Sequence, residues 1–457
     1  MPHPLLAADA DAVPVWLVDK ETWPKLREDL WPLGKAFAVA QVFEAKPGEH
    51  CLLPDAEGDL AGVLFGVDDK DAKRPDRFLV GKLPGILPEG AYRFASPPAD
   101  AAAATLAWLL GGYRFDRYRE RPKKPVRLVP PEGVDADEVG RIANAVALGR
   151  DLVNTPANDL GPQEIEDAVR ALAERHGAAV SAVSGEELER GFPMIHAVGR
   201  ASSRPPRLVD LRWGEGPKVT IVGKGVAFDT GGLNIKPDSA MALMKKDMGG
   251  AAAALALADM VMGAGLPVSL RVLIPAVENA ISGAAFRPGD VLRSRKGFSV
   301  EIGNTDAEGR LILADALALA DEEGPDLVVD FATLTGAARV ALGPDLPPFY
   351  TDDEDLAADI ARHAEAVNDP VWRLPLWPPY AKLLESKIAD INHIGGPMAG
   401  SVTAALFMRR FVEAPWLHFD VYAWTPSAKP GRPEGGEVQA ARAVYALLRE
   451  RHPPRGR

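Results

Sequence analysis

The chain is built around three blocks: VGKGVAFDTGGLNIKP (residues 222–237), MKKDMGGAAA (244–253) and GNTDAEGR (303–310). They contain four carboxylates, two lysines and one arginine, namely Asp229, Asp247, Asp306, Glu308, Lys224, Lys236 and Arg310. Charged side chains in apolar strands and glycine-rich turns need partners when the chain folds. Clustered carboxylates favour a site for two divalent cations, because oxygen ligands suit hard or borderline ions such as Mg, Mn or Zn.

The first block follows a predicted buried strand. KVTIVG is apolar and β-branched, which is typical of a parallel sheet, so Lys224 stands at the carboxyl end of a strand and Asp229 in the loop beyond it. Open α/β sheets bind ligands at this edge. Lysine coordinates a metal only when its amine is neutral, and we expect burial and nearby cations to lower the pKa of Lys224 enough for that role.

The other two blocks each precede a predicted helix. Asp247 comes just before an alanine-rich run that favours a helix ending near Gly263 and Gly265. FSVEIGN predicts a strand, and TDAEGRLILADALALADEEG predicts a sharp turn into an amphipathic helix. Asp306, Glu308 and Arg310 alternate across that turn, so the sequence predicts that all three side chains point into one cleft. Asp247 or Asp306 taken singly would be read as a helix cap.

NTDAEGRL (304–311) resembles the signature of the leucyl (cytosol) aminopeptidase family, the two-metal M17 peptidases. GKG, FDTGG, MKKDMGGAAA and ATLTGA resemble further blocks of the family, in the same order and with matching separations. The resemblance implies that the enzyme releases N-terminal amino acids from peptides by a metal-activated water. It implies five metal ligands and two other catalytic residues: Lys224, Asp229, Asp247, Asp306 and Glu308 as ligands, with Lys236 and Arg310 in catalysis.

The same resemblance implies the cofactors, the substrate pocket and the assembly. Two divalent ions per chain are expected, Mn or Zn first, with Mg or Co as alternatives, and Arg310 is expected to hold a bicarbonate ion that serves as the base. The backbone of Leu334 would contact the substrate near its carbonyl, while Met244, Thr333 and Gly336 would line the pocket for the first side chain. A homo-hexamer with active sites facing an interior cavity is also implied.

The end of the chain departs from the family pattern. After WLHFD, the family commonly has small residues, whereas this chain has Val421, Tyr422 and Ala423. The tail KPGRPEGGEVQAARAVYALL lacks the usual glycine-threonine-glycine pattern. These departures concern the size of the pocket and the preferred substrate, and leave the expected metal ligands unchanged.

Length and composition predict a globular protein with two α/β domains. The chain has 457 residues, of which 47% are hydrophobic and 25% charged. Residues 1–120 alternate apolar runs (VPVWLV, AFAVAQVF, GVLFGV, RFLVGKL) with helical patterns, which predicts a small α/β domain for assembly or regulation. Residues 121–133, rich in proline and basic side chains, predict a linker. Residues 134–457 predict a larger, mixed-sheet α/β catalytic domain.

Several observations bear on location and partners. The N-terminus lacks the pattern of a signal peptide, and we found no continuous apolar run of 18 residues, so we expect a cytoplasmic protein without a membrane span. The net charge of −12 argues against binding nucleic acid, although basic residues cluster in RYRERPKKPVR (117–127). Cys51 is the one cysteine and is interpreted as a small hydrophobic residue.

Other functional classes fit the sequence less well. None of the eight histidines lies in an HExxH motif, and Gly225 follows Lys224 where a P-loop needs Ser or Thr. A two-metal phosphohydrolase would use similar carboxylates and remains the alternative on chemistry alone. A binding protein, including a family member with an added DNA-binding role, is the third hypothesis.

Overall fold

The structure, a computed structural model, describes residue 5 and residues 11–119 and 125–454. Its backbone forms two compact units. The first comprises the chain up to Ala147 together with Ser427–Glu434, and the second comprises Leu148–Pro426 and the chain from Gly435 onward. The division falls inside one helix, Ala136–Asn154.

The strands, in chain order, are β1 (Val13–Val18), β2 (His50–Pro54), β3 (Leu60–Gly66), β4 (Gly90–Phe94), β5 (Val126–Val129), β6 (Ala179–Ser184), β7 (Arg207–Trp213), β8 (Lys218–Gly223), β9 (Gly225–Asp229), β10 (Ser269–Asn279), β11 (Val291–Arg293), β12 (Ser299–Glu301), β13 (Leu327–Ala332), β14 (Pro348–Tyr350), β15 (Trp372–Arg373), β16 (Ile391–Asn392), β17 (Trp416–Asp420), β18 (Trp424–Thr425) and β19 (Gly435–Gly436).

The α-helices are α1 (Trp23–Asp29), α2 (Pro32–Ala40), α3 (Leu83–Ile86), α4 (Ala101–Gly111), α5 (Ala136–Asn154), α6 (Pro162–His176), α7 (Gly185–Gly191), α8 (Pro193–Gly199), α9 (Asp238–Met241), α10 (Gly249–Ala264), α11 (Glu308–Asp321), α12 (Gly336–Leu342), α13 (Glu354–Ala366), α14 (Gly400–Arg409) and α15 (Ala441–Arg451). Short 3-10 turns occur at Leu79–Lys82, Met244–Met248, Thr305–Ala307 and Pro378–Leu384.

The first unit contains a five-stranded mixed sheet in the order β2-β3-β1-β4-β5, where only β2 runs antiparallel to its neighbour. An α/β unit is what the sequence predicted. Of the four apolar runs, VPVWLV forms β1 and GVLFGV lies largely in β3, but AFAVAQVF lies largely in helix α2 and RFLVGKL largely in a 3-10 turn. Cys51 on β2 is buried among apolar side chains, and burial raises the pKa of its thiol.

The structure divides the chain differently from the sequence-based boundaries. β5 lies inside the predicted linker 121–133 and pairs in parallel with β4 along Gly90–Arg93, because VRLV supplies an apolar strand directly after the prolines. Residues 120–124, which include part of the basic cluster, lie outside the described residues. The division between the units follows Ala147 rather than residue 133, and Ser427–Glu434 joins the first unit. Gly431 meets Gly81 there so closely that a Cβ on Gly81 would lie 2.4 Å from the Gly431 nitrogen.

The second unit contains a nine-stranded mixed sheet in the order β15-β14-β17-β13-β8-β10-β7-β6, with β9 also paired to β10. Its central strands β17, β13, β8 and β10 are parallel, as their nearly continuous apolar sequence predicts. Their carboxyl ends therefore lie at one edge of the sheet. Lys224 follows β8 at this edge, Thr333 follows β13, and Asp420 is the last residue of β17.

Helix α10 is at the centre of the second unit. The helical run Met244–Ala264 is long enough and apolar enough in mean hydropathy to cross a membrane, although charged residues interrupt it, so it is not the continuous apolar run that the sequence was expected to lack. However, 83% of its apolar window is buried inside the protein, which is typical of a core helix. The helix ends where the glycines predicted it, with Gly265 in the left-handed conformation (φ 64°) as its C-cap.

Candidate active site

The three blocks quoted above meet at the carboxyl edge of the parallel strands. Asp229 is the last residue of β9, Asp247 lies in the 3-10 turn before α10, and Glu308 is the first residue of α11. Oxygen atoms of Asp229, Asp306 and Glu308 lie within 4.8 Å of one another, close enough to ligate one metal ion. Three of the five predicted ligands therefore form one acidic cluster.

Lys224 joins the remaining predicted ligand, Asp247, to this cluster. Its Nζ lies 2.8 Å from Asp247 Oδ2 and 2.9 Å from Glu308 Oε1, and it donates a hydrogen bond to the carbonyl oxygen of Thr333 (3.0 Å). Burial alone would lower the pKa of Lys224, but the charges of Asp247 and Glu308 outweigh it and raise the pKa above its usual range. The sequence-based expectation that the pKa of Lys224 is lowered is therefore not met in this arrangement of the carboxylates.

Lys236 makes a matching bridge on the other side. Its Nζ lies 2.8 Å from Asp229 Oδ2 and also pairs with Asp306. Burial opposes the charged amine, but the charge of Asp229 outweighs it and raises the pKa of Lys236. Both lysines are thus held as cations by the carboxylates between which they lie.

The carboxylates have surplus negative charge. Burial, together with the charge of Asp229, raises the pKa of Asp306 to about 6 and raises the pKa of Glu308 well above its usual value. Burial also disfavours the charged form of Asp247, but the charges of Lys224 and Lys246 outweigh it and lower its pKa. Four carboxylates against the two bridging lysines leave two formal negative charges, so the site suits divalent cations.

The hydrogen bonds of the acidic residues also fit metal ligands. Neither carboxylate oxygen of Glu308 accepts a hydrogen bond from any described residue, although the side chain is only 1% exposed. By contrast, Asp229 Oδ1 accepts from the backbone of Gly231 and from Asn279 Nδ2, both at 2.8 Å. Its other oxygen faces the cluster. The one charged neighbour of this carboxylate is Lys224 Nζ, 2.9 Å from Oε1, and a bound cation would give both buried oxygens the partners that hydrogen bonds do not supply.

Arg310 lies beside the cluster as a buried cation. One guanidinium nitrogen donates to the carbonyl oxygen of His393 (2.7 Å), while its Nε has no hydrogen-bond partner among the described residues. Burial lowers the pKa of Arg310 to about 10, opposed by the charges of Asp420 and Glu308. No carboxylate of the described chain lies within ion-pair distance of Arg310, so its guanidinium can receive a small anion.

The predicted substrate-pocket residues line the same cavity as four of the five predicted metal ligands, all but Glu308. The cavity has a volume of about 230 Å³, and Met244, Thr333, Leu334 and Gly336 all contribute to its wall. Thr333 Oγ1 lies 2.8 Å from Asp247 Oδ1, so it also orients that carboxylate. The backbone N–H of Leu334 donates to Asp420 Oδ1 (3.1 Å), which fixes the direction of this loop.

Several supporting residues were not singled out in the sequence analysis. Asn279 links Asp229 to the carbonyl oxygen of Thr305, and Thr305 Oγ1 donates to the carbonyl oxygen of Gly231 (2.6 Å). His393 Nδ1 accepts from the N–H of Gly303 (3.1 Å), and its Nε2–H donates to the carbonyl oxygen of Asn304 (3.0 Å). Asp420 could have been predicted from the sequence, because it is an acidic residue at the carboxyl end of the predicted strand WLHFD. Thr305 lies within the block GNTDAEGR, whereas Asn279 and His393 are isolated polar residues without a local pattern.

Two basic residues of the cavity were also missed. Lys246 is 2% exposed and lies with its Nζ 4.9 Å from the centroid of the Tyr422 ring. Arg339 lies with its Cζ 4.9 Å from the same centroid. Burial lowers the pKa of Lys246 to about 7, opposed by the charge of Asp247.

Comparison with known proteins gives a consistent result. The catalytic-domain model of the cytosol aminopeptidase family matches residues 147–447, and the N-terminal domain model of M17 aminopeptidases matches residues 13–131. A probable cytosol aminopeptidase of Syntrophotalea carbinolica is 41% identical over 367 residues, which cover 75% of this chain and 73% of that protein.

Solved structures agree with the sequence matches. The cytosol aminopeptidase of Coxiella burnetii has a TM-score of 0.94 and 44% identity, covering 98% of this chain and 99% of that one. The bottromycin maturation enzyme BotP, solved in complex with Mn, has a TM-score of 0.86 and 35% identity, covering 96% and 99%. From both domain models and these relatives, the chain belongs to the cytosol aminopeptidase (M17) family and is a metallo-aminopeptidase of the leucyl aminopeptidase type.

Proposed function

We propose that this aminopeptidase uses two divalent metal ions to release the N-terminal residue of peptides. Asp229, Asp247, Asp306 and Glu308 would hold the ions together with Lys224, whose amine would give up its proton when a bound cation offsets the charges of Asp247 and Glu308 that otherwise keep it protonated. The observation that supports this best is the surplus negative charge of the acidic cluster, which includes a buried Glu308 whose carboxylate accepts no hydrogen bond from any described residue. When bound, two such ions would polarise the scissile carbonyl, hold the α-amine and lower the pKa of a water.

The protein's own residues divide the remaining work. Asp229 and Glu308 would be central among the ligands of the ions, because both are buried and belong to the same acidic cluster. Lys236 stabilises the negative charge that develops on the substrate oxygen. Its Nζ already lies among the carboxylates, so little rearrangement is needed, and such a donor usually contributes several kcal/mol in a site that excludes water.

Arg310 would hold the base rather than act as the base. The resemblance to the family implies a bicarbonate ion here, and the unpaired Nε of this buried guanidinium supports an anion at this position. The planar fork of arginine matches the oxygens of a carbonate, and it stays charged under ordinary conditions. Bicarbonate would supply the proton acceptor, and Arg310, itself held by the carbonyl oxygen of His393, would fix the position of that anion.

The substrate would enter the cavity lined by the pocket residues. Met244, Thr333 and Gly336 would contact the first side chain, with methionine as an adaptable apolar surface. The backbone of Leu334, fixed by Asp420, would contact the peptide near the scissile bond.

The identity of the ions, the assembly and the location complete the proposal. Mn is supported by the Mn complex of BotP, with Zn equally expected and Mg or Co as alternatives. The family resemblance implies a homo-hexamer, and large apolar side chains exposed on the second unit, including Trp372, Trp377, Ile388 and Met398, support association of copies without specifying their number. The names of the cytosol aminopeptidase relatives support a cytoplasmic location. Peptides are the expected partners, without membrane or nucleic acid.

The proposal is tested by comparing substrates and metals. Purified protein loaded separately with Mn, Zn, Co or Mg is assayed on aminoacyl p-nitroanilides, on a dipeptide and on p-nitrophenyl phosphate. We expect hydrolysis of the first two and none of the phosphate ester. Preference for the phosphate ester would favour the two-metal phosphohydrolase instead. A salt-dependent shift of duplex DNA would indicate the added DNA-binding role.

A further inference from the structure

The cavity contains two basic side chains that the proposed mechanism does not use. Lys246 and Arg339 both line it, and both lie 4.9 Å from the centroid of the Tyr422 ring. Neither side chain forms an ion pair or a hydrogen bond with any residue of the described chain. Lys246 is also 98% buried by surface area, with 2% of it exposed.

The neighbouring lysines differ in this respect. Lys224 and Lys236 each contact two carboxylates, and Lys245 donates to the carbonyl oxygen of Asn154 (2.7 Å) while lying over the Trp424 ring. The charged amine of the buried Lys246 has no hydrogen-bond or ion-pair partner among the described residues, which is costly, and its contact with an aromatic face offsets only part of that cost. Arg339 is half-buried and, in the part of the chain that the structure describes, likewise has only the ring contact. Lys246 and Arg339 therefore form a place for an anionic group inside the cavity.

We propose that Lys246 and Arg339 make this cavity selective for peptides whose N-terminal residue has a carboxylate side chain, glutamate or aspartate. The proposal rests on the proposed function and adds the substrate class to it. The same cavity contains Met244, Thr333 and Gly336, the residues assigned to the first side chain. Gly336, Ala337 and Gly400 are small, so they leave space beside the two cations.

Electrostatics favour an acid over its neutral analogues. The two cations share one aromatic ring, so they are separated by at most twice 4.9 Å and repel each other. A carboxylate in the cavity that contacts both side chains would reduce this repulsion and form charge-assisted hydrogen bonds, which are roughly twice as strong as neutral ones. An apolar side chain would displace water from both cations and give them no partner.

The residue that bridges the cations belongs to the part of the chain that departs from the family pattern. Tyr422 follows β17, where the family commonly has a small residue. Its backbone N–H donates to Gln439 Oε1 (2.8 Å), which fixes the start of the segment after the strand. The ring thus holds Lys246 and Arg339 in position, although they belong to different segments of the chain.

The first test uses the unaltered full-length protein loaded with Mn. Hydrolysis of Glu-, Gln-, Asp-, Asn- and Leu-p-nitroanilide is compared, and binding of free glutamate and glutamine is measured by calorimetry. We expect kcat/KM for Glu to exceed that for Gln by about tenfold or more, since the site rejects an analogue that leaves its charges unpaired. Glutamate should also bind more tightly than glutamine.

The two proposals fail in different ways. Cleavage of Leu-p-nitroanilide with a Glu-to-Gln ratio of one or less would overturn the specificity inference and leave the aminopeptidase function intact. Lack of hydrolysis of every anilide and dipeptide would contradict the proposed function and with it this inference. The enzyme could instead hydrolyse Leu-Gly faster than Leu-Gly-amide while its Glu-to-Gln ratio stays near one. That result would show that Lys246 and Arg339 bind the C-terminal carboxylate of a dipeptide, and it would overturn the inference.

Variants then identify the residues responsible. Lys246→Met and Arg339→Met should each reduce the Glu-to-Gln ratio severalfold toward one, chiefly by raising KM for the acidic substrate. Lys245→Met is the matched control, because it removes the adjacent charge from the same 3-10 turn but does not line the cavity. A ratio that falls equally in Lys245→Met would show a general charge effect and contradict the assignment.

Discussion

The Nζ atom of Lys224 lies 2.8 Å from Oδ2 of Asp247, and both side chains are buried. Lys224 lies between β8 and β9, whereas Asp247 belongs to the turn that begins the core helix α10. Because the same Nζ is 2.9 Å from Glu308, three segments of the chain converge on one amine. A change in any one of them alters the environment of the other two.

Asp247 provides the first test of this arrangement. Metal-replete protein should contain about two divalent ions per chain by elemental analysis, and Asp247→Ala should lose at least one of them because it removes a proposed ligand that is buried. Asp238→Ala is the control, since that carboxylate is exposed on α9. Metal content near zero in active wild-type protein would contradict the metal site altogether.

For the substitution Gly309→Ala, helix propensity predicts a gain in stability, whereas the geometry of the site predicts a clash with Lys224. A Cβ at this position would lie 2.6 Å from Lys224 Cε and 2.7 Å from its Nζ. Alanine is the better helix former by about 1 kcal/mol, so propensity alone predicts a stabilised protein. We expect instead that Gly309→Ala displaces Lys224 and lowers metal content and turnover together.

The control for this variant is Gly283→Ala, because a Cβ at Gly283 would meet no atom within 4 Å. Elemental analysis and turnover are measured for both proteins under the same loading conditions. Equal metal content in the two variants would show that Lys224 has room to move and that its position is not critical.

The sequence predicted the acidic cluster because its residues occur in short blocks next to strands. Lys224 follows β8, and Asp229, predicted in the loop beyond, is the last residue of β9. Because parallel strands bring their carboxyl ends to one edge, residues far apart in sequence could still be placed together. His393, Asn279 and Lys246 were not predicted as part of the site. Each is a single polar residue whose role depends on a partner distant in sequence, such as Gly303, Thr305 or Tyr422.

The domain boundaries show a related limit. Prolines at positions 122 and 125 predicted a linker, yet Val126–Val129 extends the first sheet because β4 offers a free edge for it. Local turn signals do not reveal whether a strand partner is available. In the same way, no local pattern indicates that Ser427–Glu434 packs within the first unit, since this depends on the close approach of Gly431 to Gly81.

His393 is expected to act as a positioning residue for the acidic loop. Its ring connects to the backbone of Gly303 and Asn304, and its carbonyl oxygen accepts from Arg310. His393→Leu should therefore lower kcat with little change in KM, because it loosens groups that act during the reaction rather than groups that bind the side chain. His393→Asn retains a donor and an acceptor and should restore part of the rate.

The same residue predicts a pH dependence of stability. Burial, with the nearby charge of Arg310, lowers the pKa of His393 from 6.5 to about 3, so the folded state binds this proton more weakly than the unfolded state. The neutral His393 ring therefore makes its full contribution to the free energy of unfolding above pH 6.5, and this contribution is lost as the pH falls toward 3. Between pH 7.5 and pH 5 the loss is about 2 kcal/mol.

This loss is measured by urea unfolding of protein treated with a chelator. Without bound metal, the acidic cluster titrates in the same way in wild type and in His393→Asn, so a difference between them reports on His393. His393→Asn cannot take up the proton, so its free energy of unfolding should fall less between these pH values. The difference between wild type and variant should therefore shrink on acidification. Parallel pH dependences would show that another group is responsible.

Arg310 and Lys236 are both buried cations of the site, yet their surroundings differ. Lys236 contacts the carboxylates of Asp229 and Asp306, whereas Arg310 contacts a carbonyl oxygen and has an unpaired Nε among the described residues. This difference predicts distinct responses to an added anion. Removal of the Arg310 side chain would leave a space that a bicarbonate ion could enter, whereas removal of Lys236 would leave the carboxylates of Asp229 and Asp306, which repel an anion.

Arg310→Ala should lower turnover while leaving the metal content intact, and added bicarbonate should restore part of the rate. Lys236→Ala should lose about 10²–10³ in kcat, because it removes a charge that acts mainly in the transition state, and bicarbonate should not rescue it. Turnover with and without rigorous removal of bicarbonate, together with elemental analysis, separates the two variants. If the wild-type rate is indifferent to bicarbonate removal and Arg310→Ala loses its metals, then Arg310 supports the acidic cluster structurally and a different group is the base.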